Sequence, residues 1–331
     1  ILLKLEIIMI TNFNKIISLG LLITTLAFGF EKVGTTSFQF LKVGMSARST
    51  GMGEAYSAAV FGADAVFWNP GALTTVRRFD VEASYMDYFF DVKHTSLAIG
   101  WNAGTWGVLG FQALLTDVGE IEETTVSQLG FNENDVYMPG LTGNTFSPGA
   151  MVLGVSWARS LTEQFSFGIT AKFVREDLWL ESASAVVFDG GLIYNTGFRT
   201  VQISAAVRHF GQNVAFIDKD FPLPQTFNIG ISGFLMGPSA NLGTISGTHS
   251  VQVAFDMVQP RDYDQQYNVG LEYGFSNLLF LRGGYKMNYD EEGIALGMGM
   301  NYKGYRFDYS YNDYGDLLSG VHRFSVGLSL Q

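Results

Sequence analysis

Beyond Arg78 the chain alternates apolar and polar residues with a period of two. Phe165, Phe167, Ile169, Ala171 and Phe173 fall on one side of Gln164 to Glu176, and Ser166, Gly168, Thr170 and Lys172 on the other. Thr200 to His209 places Val201, Ile203, Ala205 and Val207 together, and Val251, Val253, Phe255 and Met257 oppose Gln252, Ala254 and Asp256. Tyr267 to Phe275 and Ile294 to Tyr302 repeat the pattern against faces rich in glycine. In a strand, successive side chains point to opposite faces. Repeated segments of about ten residues, apolar outward and small or polar inward, are the pattern of a transmembrane barrel. Fourteen such segments are found, starting near Phe79, His94, Thr105, Pro148, Gln164, Ala183, Thr200, Gln225, His249, Gln265, Leu278, Gly293, Tyr305 and Val321. The third has an ambiguous register. The fold predicted is an all-β, fourteen-stranded antiparallel transmembrane barrel.

The connections test that count, because alternate turns of such a barrel are short. Asn102-Ala103-Gly104, Leu161-Thr162-Glu163, Gly197-Phe198-Arg199, Ser276-Asn277 and Gly304 are tight, whereas Met236 to Thr248 is long on the same side. The opposite side carries Thr116 to Ser147, Phe210 to Pro224 and Asp313 to Gly320 as loops. Trp101, Trp157, Tyr194, Tyr273, Tyr302 and Tyr305 flank the short turns, where an interfacial girdle belongs, and Tyr85, Tyr267 and Tyr311 fall at the other rim. Lys172, Arg208, Asp256, Glu272, Arg282, Lys286 and Asp308 fall in the inward register, which predicts a lumen of paired opposite charges.

The N-terminal part follows other rules. Met9, Lys15 and the apolar run Ile16 to Phe28, ending in Ala27-Phe28-Gly29, read as a signal peptide over residues 1–29, with 1–8 an upstream extension. Residues 30–78 read as a plug segment and 79–331 as the barrel. Within the plug, Ala47, Gly51, Ala55 and Ala59 recur every four residues, which predicts one small-residue face of a short helix over Met45 to Val60. Asn69-Pro70-Gly71 stops any helix.

Composition narrows the function classes. Charged residues are 15% of the 331, well below a soluble domain's share, and aromatics equal them at 15%. Beyond the N-terminus no apolar run is long enough for a spanning helix, so a closed barrel is the remaining way to cross a bilayer. A net charge of −11 disfavours nucleic acid as a partner, since phosphate is bound through a basic face. There are no cysteines, which removes disulfides and thiolate chemistry. His94, His209, His249 and His322 stand singly without metal-ligand spacing and read as interface residues. Gly51-Met52-Gly53 follows no strand and position 56 is Tyr, so no dinucleotide site is predicted. Asn132 to Asp135 and Asp262 to Asp264 lack a calcium loop's glycine and distal glutamate. No nucleophile–base pair stands out, so neither an enzyme nor a cofactor is expected.

The stretch from Phe40 to Leu73 resembles the N-terminal signature of the PorV/PorQ family of FadL-like outer-membrane barrels. It matches at Phe40, Leu41, Gly44, Ala47, Arg48, Met52, Gly53, Ala55, Asp64, Trp68, Asn69, Pro70 and Leu73, and Gly71-Ala72 reverses the usual order. The resemblance implies an N-terminal plug inside the barrel, with Arg48, Met52, Gly53, Asp64, Trp68, Asn69 and Pro70 as its structural or gating motif. It also implies a non-catalytic carrier in type IX secretion, whose partners are secreted proteins with C-terminal sorting domains, other secretion components and outer-membrane lipid. FadL itself resembles this design and takes up hydrophobic small molecules, which is the alternative expectation. That reading calls for a lateral opening in the wall and an apolar pocket under the Thr116 to Ser147 loop. Complementary charge suggests Arg48 paired with Asp64, pinning the plug.

Overall fold

The computed structural model describes residues 34–131, 133, 135–237, 248–315, 318 and 320–330. The signal-peptide reading and most of the long Met236 to Thr248 connection lie outside the described residues. The strands are β1 (Phe79–Asp87), β2 (Lys93–Asn102), β3 (Val108–Asp117), β4 (Ile121–Phe131), β5 (Tyr137–Phe146), β6 (Gly149–Ser160), β7 (Phe165–Asp177), β8 (Ser182–Asn195) and β9 (Gln202–Gly211). They continue as β10 (Val214–Ala215), β11 (Asp220–Phe221), β12 (Thr226–Met236), β13 (His249–Pro260), β14 (Gln266–Phe275), β15 (Leu279–Met287), β16 (Ile294–Tyr302), β17 (Tyr305–Asn312) and β18 (Val321–Leu330). Fourteen of them close an antiparallel barrel, and β18 pairs with β1 from Phe79↔Leu330 to Asp87↔His322. Closure leaves no sheet edge, which a bilayer requires of any strand structure.

Each predicted start lies within three residues of an observed barrel strand. Outward positions such as Ile169, Leu281, Met298 and Val155 are exposed, while their inward neighbours are buried. The Thr116 to Ser147 segment, read as a loop, instead holds the β4–β5 hairpin, separate from the barrel. Both of its faces are largely exposed, so it lacks the one-sided burial that marks a wall strand.

The inward face differs from the expectation at the loop end. Met86, Leu114, Val152, Val174, Val187 and Val321 point inward there and form an apolar cluster with Phe38, Phe40 and Leu41 of the N-terminal segment. The second cluster, around Met52, Tyr56, Val66, Trp68 and Leu73, fills the half nearer the short turns. The chain from Thr36 to Val76 thus occupies the barrel interior and is largely buried.

The inward glycines exist for this plug. A Cβ on Gly284 would come within 2.1 Å of the Gly53 backbone nitrogen, and one on Gly168 within 2.3 Å of the Pro70 carbonyl oxygen. One on Gly297 would meet the Gly51 Cα at 3.0 Å. Wall and plug therefore touch backbone to backbone. The predicted helix over Met45 to Val60 is shorter than expected and spans only Ala47–Gly51, capped by the Ser46 side chain. It stops because Gly53 and Glu54 take left-handed φ of 62° and 61°, which turns the plug against β15. Asn69 closes the lower turn. Its Oδ1 accepts from Gly71 N at 3.0 Å, and its Nδ2 donates to the carbonyls of Ser57 and Leu192, with Pro70 opening the 3-10 turn Pro70–Thr75.

Candidate functional site

The plug is held by a chain of ions that runs from its helix into the wall. Arg48 reaches Glu272 on β14 in a two-pronged pair, Nε to Oε2 and Nη2 to Oε1, both 2.8 Å. Arg282 on β15 donates to the same carboxylate at 2.6 Å and to Asp308 on β17 at 2.5 Å. Bidentate guanidinium–carboxylate pairs are among the strongest charge-assisted contacts. The Phe61 ring lies 4.0 Å from the Arg48 guanidinium and completes its shell.

The expected Arg48–Asp64 pair does not form. Asp64 is buried with Oδ2 unpartnered among the described residues, and burial together with nearby Glu82 holds its carboxyl well above the usual range. Arg48 turns instead to the wall, where Glu272 offers both oxygens.

Lys286 bridges Glu54 of the plug at 3.0 Å and also pairs with Glu292. Asp256 is fully buried and accepts the backbone N–H groups of Tyr56 and Ser57 at 3.2 and 2.8 Å. Lys172 pairs with Asp189 at 2.6 Å. Arg208 forms no ion pair among the described residues and lies over the Trp68 ring at 5.0 Å. Met52 is buried, with its carbonyl oxygen close beneath Gly270 of β14. The sequence-predicted charges thus face inward, yet they divide among separate clusters instead of lining one continuous path.

Several participants were not singled out from the sequence. Arg306 grips Asp80 through both Nη atoms at 2.7 and 2.8 Å and reaches Glu82 at 3.3 Å. The same Asp80 accepts from Ala63 N at 2.9 Å, so this cluster fixes the plug near the short turns. Arg323 donates to the Gly44 carbonyl and to Asn312. The inward register of β1, β17 and β18 was the available signal for them. His94 and His209 are buried inward, contrary to the interface reading, whereas His249 and His322 sit beside Tyr273 and Tyr309 at the wall.

Above the plug, at the loop end, lies a cavity of about 620 Å³. Phe40, Val43, Tyr88, Phe89, Ala150 and Tyr314 supply much of its apolar wall, and Lys286, Glu54 and Glu292 edge it. Thr116, Pro148 and Gly149 place it under the roots of the β4–β5 loop. Its volume falls in the ordinary range for small-molecule sites. The segment above it is strapped to the loops: Asp262 accepts from Thr36 Oγ1 at 2.8 Å, from Gln39 Nε2 at 3.0 Å and from Lys42 Nζ. Ser37 N donates to the Pro222 carbonyl at 3.0 Å. The expected lateral opening is not present among the described residues. Every neighbouring pair of wall strands is laddered, and irregularities are confined to β8–β9 at Phe188/Gly190 and β12–β13 at Phe234/Met236.

No protein-family model matches the sequence, and no curated protein matches it either. Solved structures do. The toluene transporter TbuX of Ralstonia pickettii aligns over 87% of this chain and 99% of its own, at 14% identity and a TM-score of 0.56. The toluene transporter TodX of Pseudomonas putida aligns over 86% and 97%, at 15% identity and a TM-score of 0.56. A FadL homologue of Pseudomonas aeruginosa also aligns, at 10% identity with 87% and 99% covered and a TM-score of 0.49. The chain has the closed fourteen-stranded fold of the FadL-like outer-membrane barrels.

Proposed function

We propose that this chain is an exported, non-catalytic channel of a Gram-negative-type outer membrane that takes up hydrophobic small molecules. The observation that carries the reading is the vestibule. It is a cavity of about 620 Å³ in which aromatic and aliphatic side chains share the wall with charged ones, open toward the loops and floored by a plug docked backbone to backbone against the wall. Such a floor is incompatible with a general porin, which needs a wet lumen from end to end, and because the wall has no lateral opening among the described residues, onward passage requires the plug to shift. A molecule in the vestibule instead exchanges water for apolar contact, worth roughly 25 cal/mol for each Å² buried. The solved barrels of similar fold carry toluene by name, and a monoaromatic hydrocarbon fits the cavity's size and lining. No feature of the lumen favours the secretion carrier implied by the N-terminal motif.

Binding of a labelled monoaromatic hydrocarbon to the purified barrel tests the reading. Ala150 is small, inward-facing and part of the cavity wall. A150W should abolish binding that the wild-type barrel shows. Equal binding by the two proteins, or none by either, overturns the vestibule as the site.

A further inference from the structure

Beside the β8–β9 irregularity, under the vestibule floor, is a second cavity of about 30 Å³. Trp68, Gln112, Arg208 and His209 all line it, with Lys172 beside them. Each of the first four carries a buried nitrogen without a hydrogen-bond partner among the described residues: Trp68 Nε1, Gln112 Nε2, Arg208 Nε and His209 Nε2. Four such atoms on residues that line one small space call for a shared partner, since buried polar groups are nearly always paired.

Their chemistry has one sign. Indole and guanidinium nitrogens donate only, and the Gln112 amide has an NH2 group to turn toward the space. His209 Nδ1 lies 3.0 Å from Lys172 Nζ, which has nothing but protons to give, so Nδ1 accepts. The neutral ring then carries its proton on Nε2, which makes the fourth atom a donor as well. A water accepts two hydrogen bonds and would leave its own two protons without acceptors here. An anion accepts all four.

The charge count agrees. Lys172 is balanced by Asp189 at 2.6 Å, and the Asp189 carboxylate also accepts the His209 backbone N–H at 2.8 Å. Arg208 has no carboxylate in contact among the described residues, and its Nη1 donates to the Phe67 carbonyl at 3.4 Å. It is therefore a buried cation without a directly contacting carboxylate, a costly arrangement that an anion beside it would relieve. Space for roughly one to two water-sized bodies suits a monatomic anion and excludes an organic one. Val43, Gly44 and Arg208 line both this cavity and the vestibule, which gives an entry route.

We infer that the space between Trp68, Gln112, Arg208 and His209 is a binding site for a small inorganic monoanion of halide size, which ties the plug to the wall at the β8–β9 irregularity. The inference is independent of what the vestibule carries. Two measurements on the full-length barrel test it. Crystals grown in bromide should show an anomalous peak within hydrogen-bond distance of Trp68 Nε1 and Arg208 Nε. The unfolding temperature should rise saturably by a few degrees with chloride, against gluconate at equal ionic strength so that screening is matched. R208M should lose both effects. Q112L, which removes a neutral donor at similar volume, should keep the fold and weaken the apparent chloride affinity several-fold, so the test survives if R208M does not fold. No bromide peak, or the same stability in chloride and gluconate, overturns the site. So does a chloride response in Q112L equal to that of the wild type.

Discussion

Glu272 is the residue on which the plug's attachment to the wall depends most, and replacing it with methionine gives a graded test. The carboxylate accepts both hydrogen bonds that Arg48 directs to the wall, at 2.8 Å each, and it also accepts from Arg282. After E272M, Arg282 still has Asp308 at 2.5 Å. Arg48 keeps only the Phe61 ring and a long 3.4 Å bond to Tyr56 Oη. Breaking a buried pair by removing one partner costs about 3–5 kcal/mol. The cation–π contact with Phe61, already made in the wild type, keeps the stranded guanidinium partly shielded and the loss toward the low end of that range. A net loss of about 3 kcal/mol, roughly a 100-fold shift in the unfolding equilibrium, is therefore expected. R48M should cost less, about 1–2 kcal/mol, because Glu272 retains Arg282 as a charged partner. The R48M/E272M double variant should be more stable than E272M alone, because no cation is left stranded. Urea unfolding followed by tryptophan fluorescence reads the equilibrium, and trypsin cleavage within the plug reports its release. If E272M costs no more than R48M, or if the two losses simply add, the ion chain does not hold the plug.

Three further outcomes follow from the same geometry. G284A places a methyl group against the Gly53 backbone nitrogen, so it should destabilise the plug by about 1–3 kcal/mol in the same urea titration, whereas G283A, whose Cβ meets nothing within 4 Å, should be close to neutral. Burial opposes the ionisation of Asp262, but its bonds from Lys42, Gln39 and Thr36 outweigh this and hold its carboxyl below the usual range. Its folded value is depressed, so the strap's stabilisation is present above the ordinary aspartate value, about 4, and lost as pH falls through the folded value. Proteolysis or hydrogen exchange near Gln39 should rise only below that pH, and in D262N the dependence should vanish. In planar bilayers the wild-type barrel should pass no steady ion current, and a persistent open-channel current would contradict a sealed floor.

The wall was legible because lipid and lumen impose opposite demands on alternate residues. Phe165 to Phe173 could be assigned face by face from that alone. The ambiguous strand, β3, shows where the signal weakens: Leu109, Phe111 and Leu115 face outward, but Val108 and Leu114 are apolar and inward as well. Those inward residues pack on the plug and the strap, a demand made by chain far away in sequence. The same distance hid the pairing of Arg48, whose partner lies 224 residues on. Complementary charge alone suggested Asp64, because nothing local shows that Glu272 of the wall offers Arg48 both carboxylate oxygens while Asp64 lies beside Glu82. The glycine-rich inward faces acquire a reason only when the plug is placed against them: Gly168, Gly270, Gly284 and Gly297 mark backbone contacts with it. His209 was read as an interface residue for a related reason. A left-handed φ of 60° at the β8–β9 irregularity turns it inward next to Arg208, against the alternation that would place these neighbours on opposite faces.

Uptake of a labelled monoaromatic hydrocarbon by cells carrying the gene, cells lacking it and cells carrying A150W tests the central claim most directly. The account predicts faster uptake with the wild-type barrel, loss of the gain with A150W, and an unchanged set of surface proteins in all three. Equal uptake in all three, with proteins bearing C-terminal sorting domains retained in the periplasm of cells lacking the gene, would contradict it.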